Sequence, residues 1–413
     1  MALDASIRRQ FPFLASRPGV AYLDSAAVTQ MPEPAIEAMN RAMRAGLGNV
    51  HRGLHALADD ATTLYENARS TVAGFLNANP DEIIFTKNAT EALNLAARTL
   101  CERWSENDAI AITRLEHHSN ALPWLQAAVS RGIAIRWIGI NPDGTLKEED
   151  VDAAFHDGRV RLLAVTGQSN VLGTRPDLKK LVALAKKHGA LTCVDAAQLA
   201  GHAPIDVQAL GCDLLALSSH KTYGPTGVGA LYGKKDVLAS MPPFLTGGGM
   251  VREVHDDGFT PADDAQRFEA GTPPILPAIG WSAALEWQSA IPWKDRVAHE
   301  VSLIALLLEE LRGADGVRIL GPAGAKALAG RPGDDSVSGC VSFTIDGVHP
   351  HDAAQILGDA GVCVRAGHHC AQPLHAALGI EASVRASVGL YTNEEDIRAL
   401  APAIAKARSI LLR

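Results

Sequence analysis

The sequence predicts an α/β protein: a large unit built on a mostly parallel seven-stranded sheet flanked by helices, then a smaller α+β unit at the C-terminal end. Two observations carry this expectation. Seven short apolar runs, each long enough for one buried strand, fall at 82–86, 109–113, 133–138, 161–166, 191–194, 213–217 and 228–232. Helical patterns separate several of them, at 91–101, 120–131 and 178–188, and strand–helix alternation in this rhythm reads as a wound sheet covered on both faces. Ligands of such sheets sit beyond the carboxyl ends of the strands. The residues directly after each strand are therefore the informative ones.

Those residues share a character. After 82–86 comes Lys87-Asn88-Ala89-Thr90-Glu91, where a hydroxyl opens a helix and makes a natural phosphate cradle. After 109–113 comes Glu116-His117-His118-Ser119-Asn120, and after 161–166 comes Gln168-Ser169-Asn170. The next two strand ends carry Asp195-Ala196-Ala197-Gln198 and Ser218-Ser219-His220-Lys221. Turn chemistry explains any one of these clusters, but five among the seven strand ends point to one small-ligand site.

Beyond 232 the text changes. The segment 241–277 is rich in Gly and Pro, which predicts a long loop that covers the site or reaches a neighbouring subunit. Helices are expected at 278–289 and 301–311, then strands at 339–345 and 362–364 with helices at 352–360 and 394–411. We therefore expect a large domain over 15–290 and a small domain over 291–413, with the segment 1–14 packing on the latter.

Composition bounds the function. A chain of 413 residues, 47% hydrophobic and 20% charged, is long enough for more than one domain. A net charge of −8 without any Lys/Arg cluster argues against nucleic acid as a partner. The N-terminal Met-Ala-Leu-Asp-Ala-Ser-Ile-Arg-Arg-Gln lacks the apolar core of a signal peptide, and no apolar run approaches the roughly 20 residues of a membrane span. Six cysteines without a Cys-x-x-Cys pair do not make a disulfide framework. A cytoplasmic location is expected.

Lys221 is the centre of the chemistry. It follows a buried strand and precedes the turn Tyr223-Gly224-Pro225, so partial desolvation lowers its pKa and leaves a nucleophilic fraction, as a Schiff-base lysine needs. Pyridoxal phosphate requires such an amine for its aldehyde, a carboxylate for its pyridine nitrogen, donors for its phosphate and a flat group against its ring. Asp195, at the end of the preceding strand, supplies the carboxylate. Gln198 can donate to the ring oxygen, Thr90, Ser218 and His220 can hold the phosphate, and His117 can stack on the ring.

Four motifs carry a family resemblance: Asp195-Ala-Ala-Gln198; Ser218-Ser-His-Lys221-x-Tyr-Gly-Pro-Thr-Gly-Val-Gly; Arg267-Phe-Glu-Ala-Gly-Thr-Pro273; and Arg365-Ala-Gly-His-His-Cys370-Ala-Gln-Pro-Leu. Together they resemble the group II cysteine desulfurases of SufS/CsdA type, fold type I pyridoxal-phosphate enzymes of the class V aminotransferase group. The likeness runs from Phe11-Pro12-Phe13-Leu14 to Val384-Arg385-Ala386-Ser387. It implies that Lys221 carries the Schiff base, Asp195 meets the pyridine nitrogen, Gln198 the ring hydroxyl, and His117 stacks. It also implies that Thr90, Ser218 and His220 bind the phosphate and that Thr272 reaches the cofactor of the other subunit of a homodimer. Asn170 and Arg385 would hold the substrate carboxylate, with Arg365 lining the same pocket.

Cys370 separates this reading from a plain aminotransferase. The thiolate is the competent nucleophile, and His368, His369 and Arg365 stand beside it in sequence. The resemblance implies that L-cysteine becomes L-alanine, with the sulfur left on Cys370 as a persulfide for a SufE/CsdE-like acceptor protein, in iron–sulfur cluster assembly or another sulfur-transfer route. Ser219, Thr222 and Pro274 depart from residues more usual in the family.

Other readings compete. Selenocysteine lyase, acting on L-selenocysteine, and cysteine β-lyase share the scaffold; a cofactor-free sulfur-transfer scaffold is the non-enzymatic alternative. No metal is expected at the His117-His118 or His368-His369-Cys370 clusters, because adjacent histidines point apart and neither a His-x-x-x-His helix nor a Cys-x-x-Cys pair completes a site there. Gly224-x-x-Gly227-x-Gly229 precedes a strand instead of joining strand to helix, so it fails as a dinucleotide loop.

Overall fold

The computed structural model describes residues 3, 5–322 and 339–412. Strand β1 (Ala21–Tyr22) precedes the strands of the main sheet: β2 (Ile83–Thr86), β3 (Ala109–Thr113), β4 (Ala134–Ile138), β5 (Val160–Thr166), β6 (Leu191–Asp195), β7 (Leu214–Ser218) and β8 (Gly229–Gly233). Their order is β2-β8-β7-β6-β5-β3-β4, and only β8 runs antiparallel to its neighbours. The seven predicted strands are these seven, with no end shifted by more than one residue.

Their apolar runs are continuous because both faces are buried. Ala109, Ala111, Leu163, Val165, Leu215 and Leu217 enter one core, against Tyr65, Val72, Leu181, Trp281 and Leu285 from covering helices. Ile110, Ile112, Leu162, Ala164, Leu214 and Ala216 enter the other, against Leu93, Ala96, Trp124 and Ala127. The strict alternation follows from the two-residue period of a strand.

The segment 241–277 is not the structureless loop its composition suggests. It contains an antiparallel hairpin, β9 (Val251–His255) with β10 (Gly258–Pro261), and a 3₁₀ turn at Ala265–Phe268. Of the hairpin's side chains Val254 is 71% and Phe259 44% exposed, so no core-facing stripe marks it in the sequence.

The second sheet is antiparallel, in the order β11 (Val317–Ile319), β12 (Cys340–Ile345), β15 (Ser383–Ser387), β14 (Arg365–Gly367); β13 (Val362–Cys363) pairs instead with β1. Its core takes Leu303, Leu307 and Leu311 from the helix Trp293–Gly313, with Leu357, Leu400 and Ile404 from later helices. The sequence reading does not place β15, the central strand that carries Arg385. The expected helix 394–411 is two helices, Glu394–Arg398 and Leu400–Leu411. Pro402 has no N–H to donate to Arg398, so it falls in the first turn of a new helix. Near the N-terminus, where residues 1, 2 and 4 of the segment 1–14 lie outside the described residues, Arg8 pairs with Asp396 at 2.6 Å. Phe11 packs with Tyr223, Ala284 and Tyr391, so the segment touches both sheets' supporting elements.

Candidate active site

The strand ends converge on one cavity of about 190 Å³. Its lining includes Thr90, His117, Asn170, Asp195, Ser218, His220, Lys221, Arg365, Cys370 and Arg385, together with Asn88, Ala89 and Ser119.

One wall is the N-terminus of the helix Ala89–Cys101. Asn88 caps it by accepting from the Glu91 N–H at 3.0 Å, and the Ala89 N–H donates to Ser218 Oγ at 2.8 Å. Strand β8 passes close behind: a Cβ on Gly229 would stand 2.6 Å from Asn88 Cα and 2.7 Å from the Leu217 carbonyl oxygen. Thr90 Oγ1 and Ser119 Oγ are 2.7 Å apart, and Ser119 also meets His117 Nδ1. Hydroxyls and a helix N-terminus in one concavity suit a phosphate.

Lys221 sits in the 3₁₀ turn Ser219–Lys221 at the end of β7. The turn is fixed from both sides. Thr29 N–H donates to the His220 carbonyl at 2.8 Å, and Tyr223, at a φ of +65°, donates its N–H to Thr29 Oγ1 at 2.8 Å. Thr222 Oγ1 accepts from Trp281 Nε1 at 2.9 Å and donates to the Ser219 carbonyl at 3.0 Å, which gives this departure from the family pattern a packing role.

Burial pushes the Lys221 amine below its ordinary range; Asp195 opposes this, while Arg385 and Arg365 add to it. Burial pushes the Asp195 carboxyl up, against Lys221 and the Ala197 N–H at 2.9 Å. Burial, then Lys221, brings His117 down to about 3 and His220 to about 4, so both rings are neutral at pH 7.

The other wall comes from the second sheet. Arg365 and Arg385 are paired positions of β14 and β15. Arg385 is 1% exposed; it donates to the Asn170 carbonyl at 2.8 Å and to Asp24 Oδ1 at 2.9 Å, and its Nε has no partner. Arg365 Nη2 stands 3.8 Å from Cys370 Sγ. The Cys370 loop is tied to the large sheet. His118 N–H donates to the Cys370 carbonyl at 2.7 Å, and Asn170 Nδ2 donates to the His369 carbonyl at 2.7 Å.

Two expected residues are elsewhere. Gln198 Nε2 donates to the Ala26 carbonyl at 2.7 Å, and its side chain does not line the cavity. Thr272 lines a separate cavity with His51, Arg52 and Gly248. A buried acid, Glu116, has no role in the sequence reading although its strand-end position is visible there. It accepts from Thr113 Oγ1 at 2.5 Å, Asn120 Nδ2 at 2.6 Å and the Thr166 N–H at 2.9 Å. Burial pushes it up to about 8, with the Asp195 charge adding.

Burial also pushes up the thiols of Cys101 and Cys212, to about 12, of Cys340, to about 11, and those of Cys193 and Cys363. These five stay protonated at pH 7. Cys370, partly exposed beside a guanidinium, is the cysteine placed to react.

The family model described as aminotransferase class-V matches residues 21–400. A curated relative, the probable cysteine desulfurase 2 of Mycobacterium leprae, is 42% identical over 98% of this chain and 96% of its own. Among solved structures, the cysteine desulfurase CsdA of Escherichia coli superposes with a TM-score of 0.89 at 37% identity, covering 100% of both chains. That of Thermococcus onnurineus superposes with a TM-score of 0.91 at 36% identity, covering 100% of this chain and 99% of the other. With the lysine, the acid and the thiol on one cavity and likeness along the whole length, the chain belongs to the aminotransferase class-V family, among its cysteine desulfurases.

Proposed function

We propose that the protein converts L-cysteine to L-alanine and keeps the sulfur as a persulfide on Cys370. The observation that carries this is the shared cavity of Lys221 and Cys370, with the Arg365 guanidinium 3.8 Å from the thiol.

Enzymes of this family use pyridoxal phosphate. The residues present fit it: a desolvated amine, a buried carboxylate, a hydroxyl-lined helix N-terminus, and a buried arginine with an unpartnered Nε. Lys221 would hold its aldehyde carbon, Asp195 its pyridine nitrogen, and Thr90, Ser218 and His220 its phosphate, with His117 against its ring. Gln198, through its bond to Ala26, positions the backbone beside it. When bound, the cofactor supplies an electron sink for the bond electrons released at Cα.

The chain's residues do the rest. Arg385 and Asn170 orient the substrate carboxylate, a planar guanidinium being suited to two-point binding. Lys221 Nζ, its proton affinity reduced by burial, takes the Cα proton. His117, held neutral by burial and the neighbouring Lys221, would lie against the ring without adding charge to the cavity. Cys370 Sγ attacks the substrate sulfur: the S–S bond forms as the Cβ–S bond breaks, Cβ takes up a proton, and the proton held on Lys221 Nζ returns to Cα to leave alanine. Arg365 stabilises the attacking thiolate.

Thr272, displaced from this cavity, would serve the partner subunit's site in a homodimer. Cysteine is the substrate of cysteine desulfurases; the acceptor we propose is a SufE/CsdE-like protein, and the place of action the cytoplasm. No helix among the described residues is long and apolar enough to cross a membrane. We read 15–290 and 291–413 as the two domains, the second carrying the thiol loop.

The test is incubation with L-cysteine, measuring alanine and protein-bound persulfide for wild type and Cys370→Ser. The variant keeps the cofactor's colour and loses persulfide. Unchanged alanine with free sulfide would remove Cys370 from the reaction, and pyruvate in place of alanine, with free sulfide, would favour a β-lyase.

A further inference from the structure

The Cys370 loop is held in an unfavourable backbone shape. Gly367, His369 and Cys370 have φ of +113°, +50° and +56°. The left-handed region is unfavourable for the two non-glycine residues, and such shapes persist only where the surroundings over-determine them. Part of that determination is a chain of buried polar side chains behind the loop.

Its bonds fix their own direction. His375 Nδ1 is 3.0 Å from the Ala371 carbonyl oxygen, which can only accept, so Nδ1 carries that ring's proton. His375 Nε2 is then an acceptor, and Ser383 Oγ, 3.0 Å away, donates to it. Having spent its only proton, Ser383 Oγ accepts from His369 Nε2 at 3.0 Å. The wire thus runs from His369 through Ser383 and His375 to the backbone next to Cys370, and His369 Nδ1 has no partner. All three side chains are buried, at 3%, 0% and 1% exposure.

Both rings are neutral, which one polarity of the wire requires. Burial first, then the charges of Arg385 and Arg365 and the facing His375 ring, hold His369 down to about 2. Burial and His368, which packs edge-on at 5.6 Å, hold His375 low as well.

We infer that Ser383 and His375 are positioning residues for Cys370: through His369 they hold the thiol loop in its left-handed shape and so place Sγ beside Arg365. This rests on Cys370 as the nucleophile, and the test separates the two ideas because its first readout needs no substrate.

The holoenzyme is treated with iodoacetamide, and alkylation of Cys370 is timed by mass spectrometry; alanine formation from L-cysteine is followed in parallel. In Ser383→Ala two ring nitrogens face a void and the loop loosens. Alkylation is then expected to be about fivefold faster, and kcat about tenfold lower with KM held within about twofold, as misplacement of a reacting atom implies. The absorption band of the bound cofactor stays unchanged. Ser383→Thr keeps one hydroxyl with the same donor and acceptor roles and restores both values. His375→Leu cuts the wire one link away and shifts both readouts in the same direction, which keeps the test available if Ser383→Ala does not fold. Alkylation and kcat within about twofold of wild type in a folded variant, or Ser383→Thr as impaired as Ser383→Ala, would overturn the inference. A wild type that forms no alanine while Ser383→Ala still alkylates faster would sink the proposed reaction and leave the positioning role standing.

Discussion

Gly201→Ala tests whether the placement of Lys221 depends on how closely its neighbours approach. The short helix Leu199–His202 lies against the lysine turn, and a Cβ on Gly201 would stand 2.7 Å from the Lys221 carbonyl oxygen. Ordinary contact begins at 3.4 Å, so the turn must retreat by about 0.7 Å. Little can give. The flanking His220 carbonyl is bound by Thr29 N–H, and Thr222 N–H is bound to the Ser219 carbonyl, both at 2.8 Å. Overpacking of this kind costs about 1–3 kcal/mol. A shift of this size at the residue that takes the Cα proton is expected to lower kcat by about ten- to a hundredfold. The assays are alanine formation at saturating L-cysteine and thermal unfolding of the holoenzyme. A folded variant with wild-type kcat and unchanged Tm would refute the reasoning, because it would mean that the turn absorbs the methyl group without moving the amine.

Other outcomes follow from the buried charges. Arg69 pairs with Glu269 at 2.7 Å, both nearly buried, and Glu269 also accepts from the Phe85 N–H at 2.7 Å. Arg69→Met strands that carboxylate and should cost about 3–5 kcal/mol, seen as a lower denaturant midpoint; an unchanged midpoint would show that solvent reaches Glu269. Glu116 is pushed up to about 8 in the fold from an ordinary 4.5, so between these values the native state holds more protons than the unfolded one. Its contribution to stability is therefore complete below pH 4.5 and lost as pH rises towards 8. In Glu116→Gln that loss disappears, and Tm measured from pH 5 to 8 falls less steeply than in wild type; parallel profiles would contradict the assignment.

Much of the main sheet was legible because its strands are buried on both faces. Their apolar runs stand out, and the polar residues that end them are where the cavity forms. Lys221, Asp195 and Cys370 could be named from motifs. Strand β15 was hidden for a physical reason. Ser383, Arg385 and Ser387 alternate with Val384 and Ala386, which reads as a weak, half-exposed segment, yet all five are buried because the polar side faces the cavity and the wire behind Cys370. The hairpin at 251–261 was hidden for the opposite reason, since most of its side chains meet solvent and leave no stripe.

Local sequence thus determined which segments become strands of the main sheet and which reactive groups terminate them, because period and side-chain chemistry act over a few residues. It did not determine which distant groups meet. The Arg365–Arg385 register, the Asn170 bond to His369, the burial that lifts Glu116 and lowers Lys221, and the Ser383 link between two histidines all join segments far apart or depend on desolvation. Only the folded chain decides those, since a proton's affinity and a hydrogen bond's direction depend on what surrounds the atom and not on what precedes it.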